Sequence, residues 1–141
     1  MKKLILIAIF TNLIYANDLF NLTIDVKDLK NNNGVVRYSI YNDPSKFPDE
    51  DLDKYYKQKT ATISKQSSHI VFKDLKKGVY CVNILHDENN NGKLDKGFML
   101  PKEGVGLSNY SSINLFHKPN FEDASFLLDR DKTISIKINY F

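Results

Sequence analysis

The chain has 141 residues, a formal net charge of +3 and a single cysteine, Cys81. This length predicts one domain, and a single cysteine excludes an internal disulfide bond. Lysines and acidic residues are interspersed without a basic stripe, so the charge pattern argues against a nucleic-acid-binding surface.

The first 16 residues have the pattern of a secretory signal peptide. The start is basic at Lys2 and Lys3, an apolar run follows over residues 4–14, and Ala16 is the small residue before the expected cleavage. The run is too short for a membrane anchor. We therefore expect a Sec-type signal peptide, a periplasmic or secreted domain over residues 17–141, and no transmembrane segment after cleavage.

Alternation of apolar and polar residues predicts two strands early in the mature chain. Residues 22–26 place Leu, Ile and Val at every second position, and residues 35–40 repeat the pattern. The intervening residues 31–34 read Asn-Asn-Asn-Gly, which favours a turn because Asn and Gly tolerate positive φ. The two strands are therefore expected to form a hairpin.

A break in the sheet is expected after the second strand. Residues 42–51 contain two prolines and a cluster of acids, which argues against a strand. Asp49 is in a position to cap a short helix over residues 49–57, with acids in its first turn. Leu52 and the tyrosines that follow it would then face the sheet.

The rest of the chain is expected to add strands and one long connection. Residues 98–125 hold glycines, prolines and many polar residues, which predicts an irregular segment, and such loops are often functional. About seven short strands in all predict an all-β fold, a single antiparallel β-sandwich. The later strands are predicted over residues 60–63 and 69–72, as a hairpin, and over 79–86, 126–128 and 133–140.

The segment after the strand 79–86 has the spacing of a calcium-binding loop. Ca²⁺ takes six to eight oxygen ligands, and alternate positions of a tightly wound loop supply them. Gly92 stands at the sixth position, where the loop turns sharply, but the twelfth position is Phe98 instead of the glutamate of an EF-hand. The candidate ligands are the side chains of Asp87, Asn89, Asn91 and Asp95, the backbone carbonyl of Lys93, and Glu103 if the next loop folds back.

The same residues are also compatible with a polar turn in which Asn and Asp side chains bond to nearby backbone. If the loop binds Ca²⁺, so few charges predict a dissociation constant of about 10⁻⁴–10⁻³ M. We find no G-x-S-x-G or H-E-x-x-H motif and expect no catalytic residues. Ser108, His86 and Asp87 would form a triad only if the fold gathered them.

Two motif blocks resemble a bacterial family. Phe72-Lys73-Asp74-Leu75 with Gly78-Val79-Tyr80 forms the first block, and His86-Asp87-Glu88-Asn89 with Asn91-Gly92-Lys93-Leu94-Asp95 forms the second. Both are similar to the family called domain of unknown function 2141. This resemblance implies an exported, immunoglobulin-like or prealbumin-like β-sandwich. Residues 72–95 are also similar to prealbumin-like surface modules, in some of which an Asp- and Asn-rich loop holds calcium.

These features predict an exported, non-catalytic β-sandwich module with a Ca²⁺ loop at residues 87–95. Its role would be to bind a protein or envelope partner, or to form a structural part of the cell envelope. The alternatives are a small-ligand carrier or a hydrolase that uses residues 98–125. A deep pocket with convergent polar groups would favour these alternatives, whereas a closed sandwich with only the loop cluster would favour the binding module.

Overall fold

Alternating apolar residues form two facing β-sheets in the computed structural model, which describes residues 18–114 and 116–141. The predicted signal peptide at residues 1–16 lies outside the described residues. No helix in the described part of the chain is long and apolar enough to cross a membrane. The strands are β1 (Leu19–Lys27), β2 (Val35–Tyr41), β3 (Lys57–Ala61), β4 (Ser68–Lys76), β5 (Gly78–Asp87), β6 (Gly104–Leu107), β7 (Phe126–Leu128) and β8 (Lys132–Lys137).

The strands are divided between a three-stranded and a five-stranded sheet. The first has the order β4-β1-β8, and the second has the order β3-β2-β5-β6, with β7 also paired to β5. All pairs are antiparallel except β1 and β8, which run parallel with Leu22 opposite Lys132. The prediction of an all-β sandwich is confirmed, and the β1–β8 pair departs from the expected antiparallel arrangement.

The main core lies between the two sheets. On β1, Leu22, Ile24 and Val26 are buried, as their alternation predicts, and they pack in one cluster with apolar residues of β2 and β5. Each such side chain contributes about 1.5–3 kcal/mol on burial. A second, smaller cluster includes Tyr41 and Cys81, whose neighbours in sequence belong to the main core. Because successive side chains of a strand point to opposite faces, this cluster covers the other face of the five-stranded sheet.

Both predicted hairpins are wrong in their strand pairing. β1 and β2 belong to different sheets, and residues 28–34 cross between them. The turn between β3 and β4 does form, closed by two backbone hydrogen bonds between Ser64 and Ser67 with Lys65 and Gln66 at positive φ. Beyond this turn, however, β3 pairs with β2 and β4 pairs with β1. The alternation of apolar and polar residues predicts which face of a strand is buried, but it does not predict which other strand pairs with it.

The predicted helix at residues 49–57 is absent. The Asp49 carboxylate is buried and accepts hydrogen bonds from the Tyr41 hydroxyl at 3.1 Å and the Lys54 N–H at 2.7 Å, which is not the bonding of a helix cap. Leu52 has a φ of 56°, which a right-handed helix excludes. Leu52 is buried, but the two tyrosines after it are exposed.

The connection at residues 98–125 is more regular than predicted, because it contains β6 and a short helix, α1 (Phe121–Ala124). A 3-10 helix over Pro44–Lys46 is the other helical turn of the described residues. Of the last two predicted strands, the one at residues 126–128 matches β7. The closing strand ends at Lys137, and Asn139 instead forms a bridge to Val105.

Gly34 marks where the crossing segment enters β2 against the end of β5. Its φ is +67°, and a Cβ at this position would lie 1.9 Å from the carbonyl oxygen of Asp87.

We expect Gly34→Ala to lower the free energy of unfolding by at least about 1–3 kcal/mol in urea denaturation, because both backbone strain and a steric clash result. Gly78→Ala is the matched control, since its Cβ would meet no atom closer than 3.6 Å. Equal stability of the two variants would contradict this account.

Candidate functional site

Asp87 organises the loop that follows β5. Its side chain is fully buried, and Oδ2 accepts hydrogen bonds from Arg37 Nε at 2.6 Å and from the Gly92 N–H at 2.9 Å. Oδ1 accepts the Asn91 N–H at 3.0 Å. Gly92 has a φ of +80°, which permits the turn that brings these N–H groups to the carboxylate.

Arg37 is a site residue that the sequence did not reveal. It lies on β2, with its side chain 17% exposed, and its Nη2 also donates to Asn90 Oδ1 at 3.1 Å. A desolvated carboxylate is costly unless it is paired and hydrogen-bonded, and Arg37 provides that charge. The only available signal was an arginine on a strand otherwise expected to be half-buried.

Asn89, Asn91 and Asp95 converge in the same loop. Asn89 Nδ2 donates to Asp95 Oδ2 at 2.6 Å, and Asn91 Nδ2 lies 3.0 and 3.1 Å from the two Asp95 oxygens. The Lys93 N–H donates to Asn91 Oδ1 at 2.9 Å. The spacing of these residues therefore corresponds to a spatial cluster, in which amide N–H groups surround the Asp95 carboxylate.

Glu103, the residue before β6, folds back onto this loop. Its Oε1 accepts the Glu88 N–H and its Oε2 accepts the Asp95 N–H, both at 3.1 Å. Burial raises the pKa of Glu103, and the negative charges of Asp87 and Asp95 add to this effect, whereas the two N–H groups oppose it. Glu103 thereby joins the loop to the sheet.

The donor set suits a hard cation better than a transition metal. Carboxylate, amide and carbonyl oxygens are typical ligands of Ca²⁺. In the described part of the chain, however, no group of three or more His, Cys, Asp or Glu side chains is arranged to hold a metal ion. The carboxylates of the loop are bonded to N–H groups instead. Its role as a metal site therefore stays a prediction.

The structure does not gather Ser108 and His86 into a triad with Asp87. Ser108 Oγ donates to the Ala124 carbonyl and accepts the Val82 N–H. The buried His86 ring contacts the Asn33 carbonyl through Nε2 at 2.9 Å and the Tyr140 hydroxyl through Nδ1 at 2.7 Å. Because a carbonyl only accepts, Nε2 carries a hydrogen. The two ring nitrogens thus bond to the segment before β2 and to the residues after β8.

Cys81 has the buried, inert character that its apolar neighbours in sequence predict. It lies on β5 in the smaller apolar cluster and is fully buried. Burial raises the pKa of its thiol to about 12. A thiol is a nucleophile only as a thiolate, so Cys81 contributes packing and no covalent chemistry.

A pocket of about 410 Å³ opens on the face of the five-stranded sheet that carries the smaller cluster. This is within the size range of small-molecule sites. Its apolar lining includes Phe47, Leu52, Val105 and Leu107, from the irregular segment after the 3-10 helix and from β6. The polar residues of the lining are Asp49, Glu50, Asn83 and Lys96.

An exposed apolar turn stands at the mouth of the pocket. The Gly97 N–H donates to the Leu100 carbonyl at 2.7 Å, and this bond holds Phe98 and Met99 at the tip. Phe98 is fully exposed and Met99 is 81% exposed, although both also line the pocket. A group of large apolar side chains exposed to water is typical of a surface that binds a ligand or another macromolecule.

Comparison with protein families places the chain in a defined group. A family model described as "Uncharacterized protein conserved in bacteria (DUF2141)" matches residues 24–136. The chain belongs to this family. The match runs from β1 into β8, so the DUF2141 region includes both the candidate loop and the pocket. No curated protein and no solved structure is significantly similar to the chain.

In this DUF2141 protein, the Arg37–Asp87 pair should be a main determinant of stability. We expect Asp87→Asn to lower the free energy of unfolding by about 2–4 kcal/mol in urea denaturation, because it leaves a largely desolvated arginine unpaired. Asp129→Asn is the matched control: it removes the exposed pair with Arg130, whose contact is 3.1 Å, and should change little. Similar effects of the two substitutions would contradict the role assigned to Asp87.

Proposed function

We propose that the protein is an exported, non-catalytic module of the bacterial cell envelope whose loop at residues 87–95 binds Ca²⁺. The observation that carries this proposal is the cluster in which Asp87, Asp95 and Glu103 are held close together by hydrogen bonds to N–H groups of the same loop. The contacts of His86 and Ser108 with other groups support a non-catalytic role. Membership of a family found in bacteria is consistent with this setting.

The ligands would come from both ends of the loop. Asp87, Asn89, Asn91 and Asp95 would supply side-chain oxygens, Lys93 its carbonyl, and Glu103 a further carboxylate. The bound ion would replace the side-chain N–H groups of Asn89 and Asn91 that donate hydrogen bonds to Asp95. Its contribution would be to hold the loop rigidly against β6.

The charge balance of the loop supports weak binding. Three carboxylates are available, but Arg37 already neutralises Asp87, and the buried Glu103 has a raised pKa. A dication favours the ionised form of Glu103, so ion and proton compete at this residue. Affinity should therefore increase as the pH rises through the pKa of Glu103.

Calcium should stabilise the folded protein. With a dissociation constant of about 10⁻³ M, 10 mM Ca²⁺ would add about 1.4 kcal/mol to the free energy of unfolding. The midpoint of thermal unfolding should rise on adding Ca²⁺ and return to its starting value with a chelator. Asp95→Asn should abolish the shift. Glu88→Gln, which removes a carboxylate of the same loop that is not a proposed ligand, should retain it.

The unsubstituted protein alone can refute the calcium function. A midpoint that stays constant up to 10 mM Ca²⁺ would overturn it, because a ligand of the native state must stabilise that state. An equal shift in the Asp95→Asn and Glu88→Gln variants would assign the ion to another part of the surface.

Export should remove residues 1–16. We expect the protein recovered from the periplasm or medium of a Gram-negative host to begin at Asn17, as measured by N-terminal sequencing and intact mass. Ala16→Leu should block processing, because the peptidase requires a small residue before the cut. Recovery of the unprocessed chain from the cytoplasmic fraction would contradict export.

A second candidate function, a small-ligand carrier, is favoured by the pocket. Its volume of about 410 Å³ and its largely apolar lining with a few polar groups are typical of small-molecule sites. The exposed tip at Phe98 and Met99 provides apolar surface at the entrance. This function and calcium binding use different residues and are compatible in one module.

A further inference from the structure

We propose that the pocket binds an organic amine, with the ammonium group paired to Asp49 and the apolar group in contact with Phe47, Val105 and Leu107. This inference rests on the carrier function and deepens it by naming the class of ligand.

Asp49 is the group that selects the ligand. It is 3% exposed and lines the pocket. Its Oδ2 accepts hydrogen bonds from the Tyr41 hydroxyl and the Lys54 N–H, and these bonds account for the shape of the segment around it. Its Oδ1 has no hydrogen-bond partner among the described residues. Buried polar atoms are normally satisfied, so this oxygen lacks a donor that a ligand would supply.

The carboxylate also lacks a cation from the protein. None of the ion pairs formed by the described residues includes Asp49. Burying an unpaired negative charge is costly. A ligand with a positively charged group that carries N–H donors would supply both the missing counter-charge and the missing hydrogen bond. A carboxylate ligand would add repulsion, and an alcohol would satisfy the hydrogen bond without supplying the charge.

The other charged groups of the pocket do not compete for this role. Glu50 is bonded to Lys118 at 2.9 Å, and this hydrogen bond, together with the nearby charge of Lys96, lowers the pKa of Glu50. Glu50 and Lys118 are both well exposed, and so is Lys96, the cation of the lining. Their charges are therefore screened by solvent, which leaves the buried Asp49 as the stronger electrostatic partner.

The apolar walls define the rest of the ligand. Phe47, Leu52 and Leu107 are buried side chains of the lining, and Val105 is half-buried. Oδ1 has no exposed surface, so the ammonium group must displace part of a wall. Residues 48–55 form neither helix nor strand and make no backbone–backbone hydrogen bond among the described residues. The bonds of Phe47 to Pro44 and of Tyr56 to Ile40 hold the two ends, and a movement of the segment between them breaks neither.

The experiment compares three probes that differ only in their head group. Binding of hexylamine, 1-hexanol and hexanoate to the purified protein is measured by calorimetry at neutral pH and fixed calcium concentration. We expect hexylamine to bind about tenfold or more tightly than 1-hexanol, which is the effect of one charge-assisted hydrogen bond. Hexanoate should bind least.

Variants then assign the effect to the pocket. Asp49→Asn keeps an oxygen for the Tyr41 and Lys54 bonds, and it should reduce hexylamine affinity to that of 1-hexanol while leaving 1-hexanol unchanged. Asp53→Asn, in the same segment but exposed and outside the lining, should bind all probes as the unsubstituted protein does. Val105→Trp should fill the pocket and weaken both hexylamine and 1-hexanol at least tenfold.

The head-group series tests the proposal without any substitution. Equal binding of hexylamine and 1-hexanol would overturn the amine specificity while leaving the carrier function standing. Binding of none of the three probes would overturn both. Amine binding that survives in Asp49→Asn, or that is lost equally in Asp53→Asn, would also overturn the role of Asp49.

Discussion

The buried carboxylate of Asp87 is the constraint on which the rest of the candidate site depends. It stands at the last position of β5, where the sheet gives way to an irregular loop, and its charge must be satisfied without water. Arg37 satisfies it from the neighbouring strand, and the N–H groups of Asn91 and Gly92 satisfy it from the loop. The Asp87 side chain therefore connects two strands and the turn. The backbone carbonyl of the same residue leaves no room for a Cβ at position 34, so only glycine fits there.

The loop and the pocket are connected through β6. Glu103 bonds to the loop, and Val105, two residues later, lines the pocket. The strand between them is hydrogen-bonded to β5 on one side, and Val105 also bonds to Asn139. The proposed ion and the proposed ligand are neighbours in structure, although their residues are distinct.

Local patterns in the sequence predicted local structure, and contacts between distant residues escaped them. The alternation at residues 22–26 identified the buried face of β1, and the spacing at residues 87–95 identified a real cluster, because both are set within a few residues. Arg37 is 50 positions from its partner, and no local signal links them. Asp49 has the sequence context of a helix cap, but burial against the Tyr41 hydroxyl determines its conformation instead. The pocket was anticipated only in part: residues 98–125 supply Val105 and Leu107, whereas Phe47 and Asp49 come from a segment that no local signal connects to them.

The parallel pairing of β1 and β8 has a consequence for how the chain acquires its fold. The central strand of the three-stranded sheet gains its second neighbour only when residues about as far apart as Leu22 and Lys132 meet. Contacts between such distant residues carry a large entropic cost before they are formed, and they slow folding. The three-stranded sheet therefore cannot be completed until β8, the last strand of the chain to be synthesised, is available.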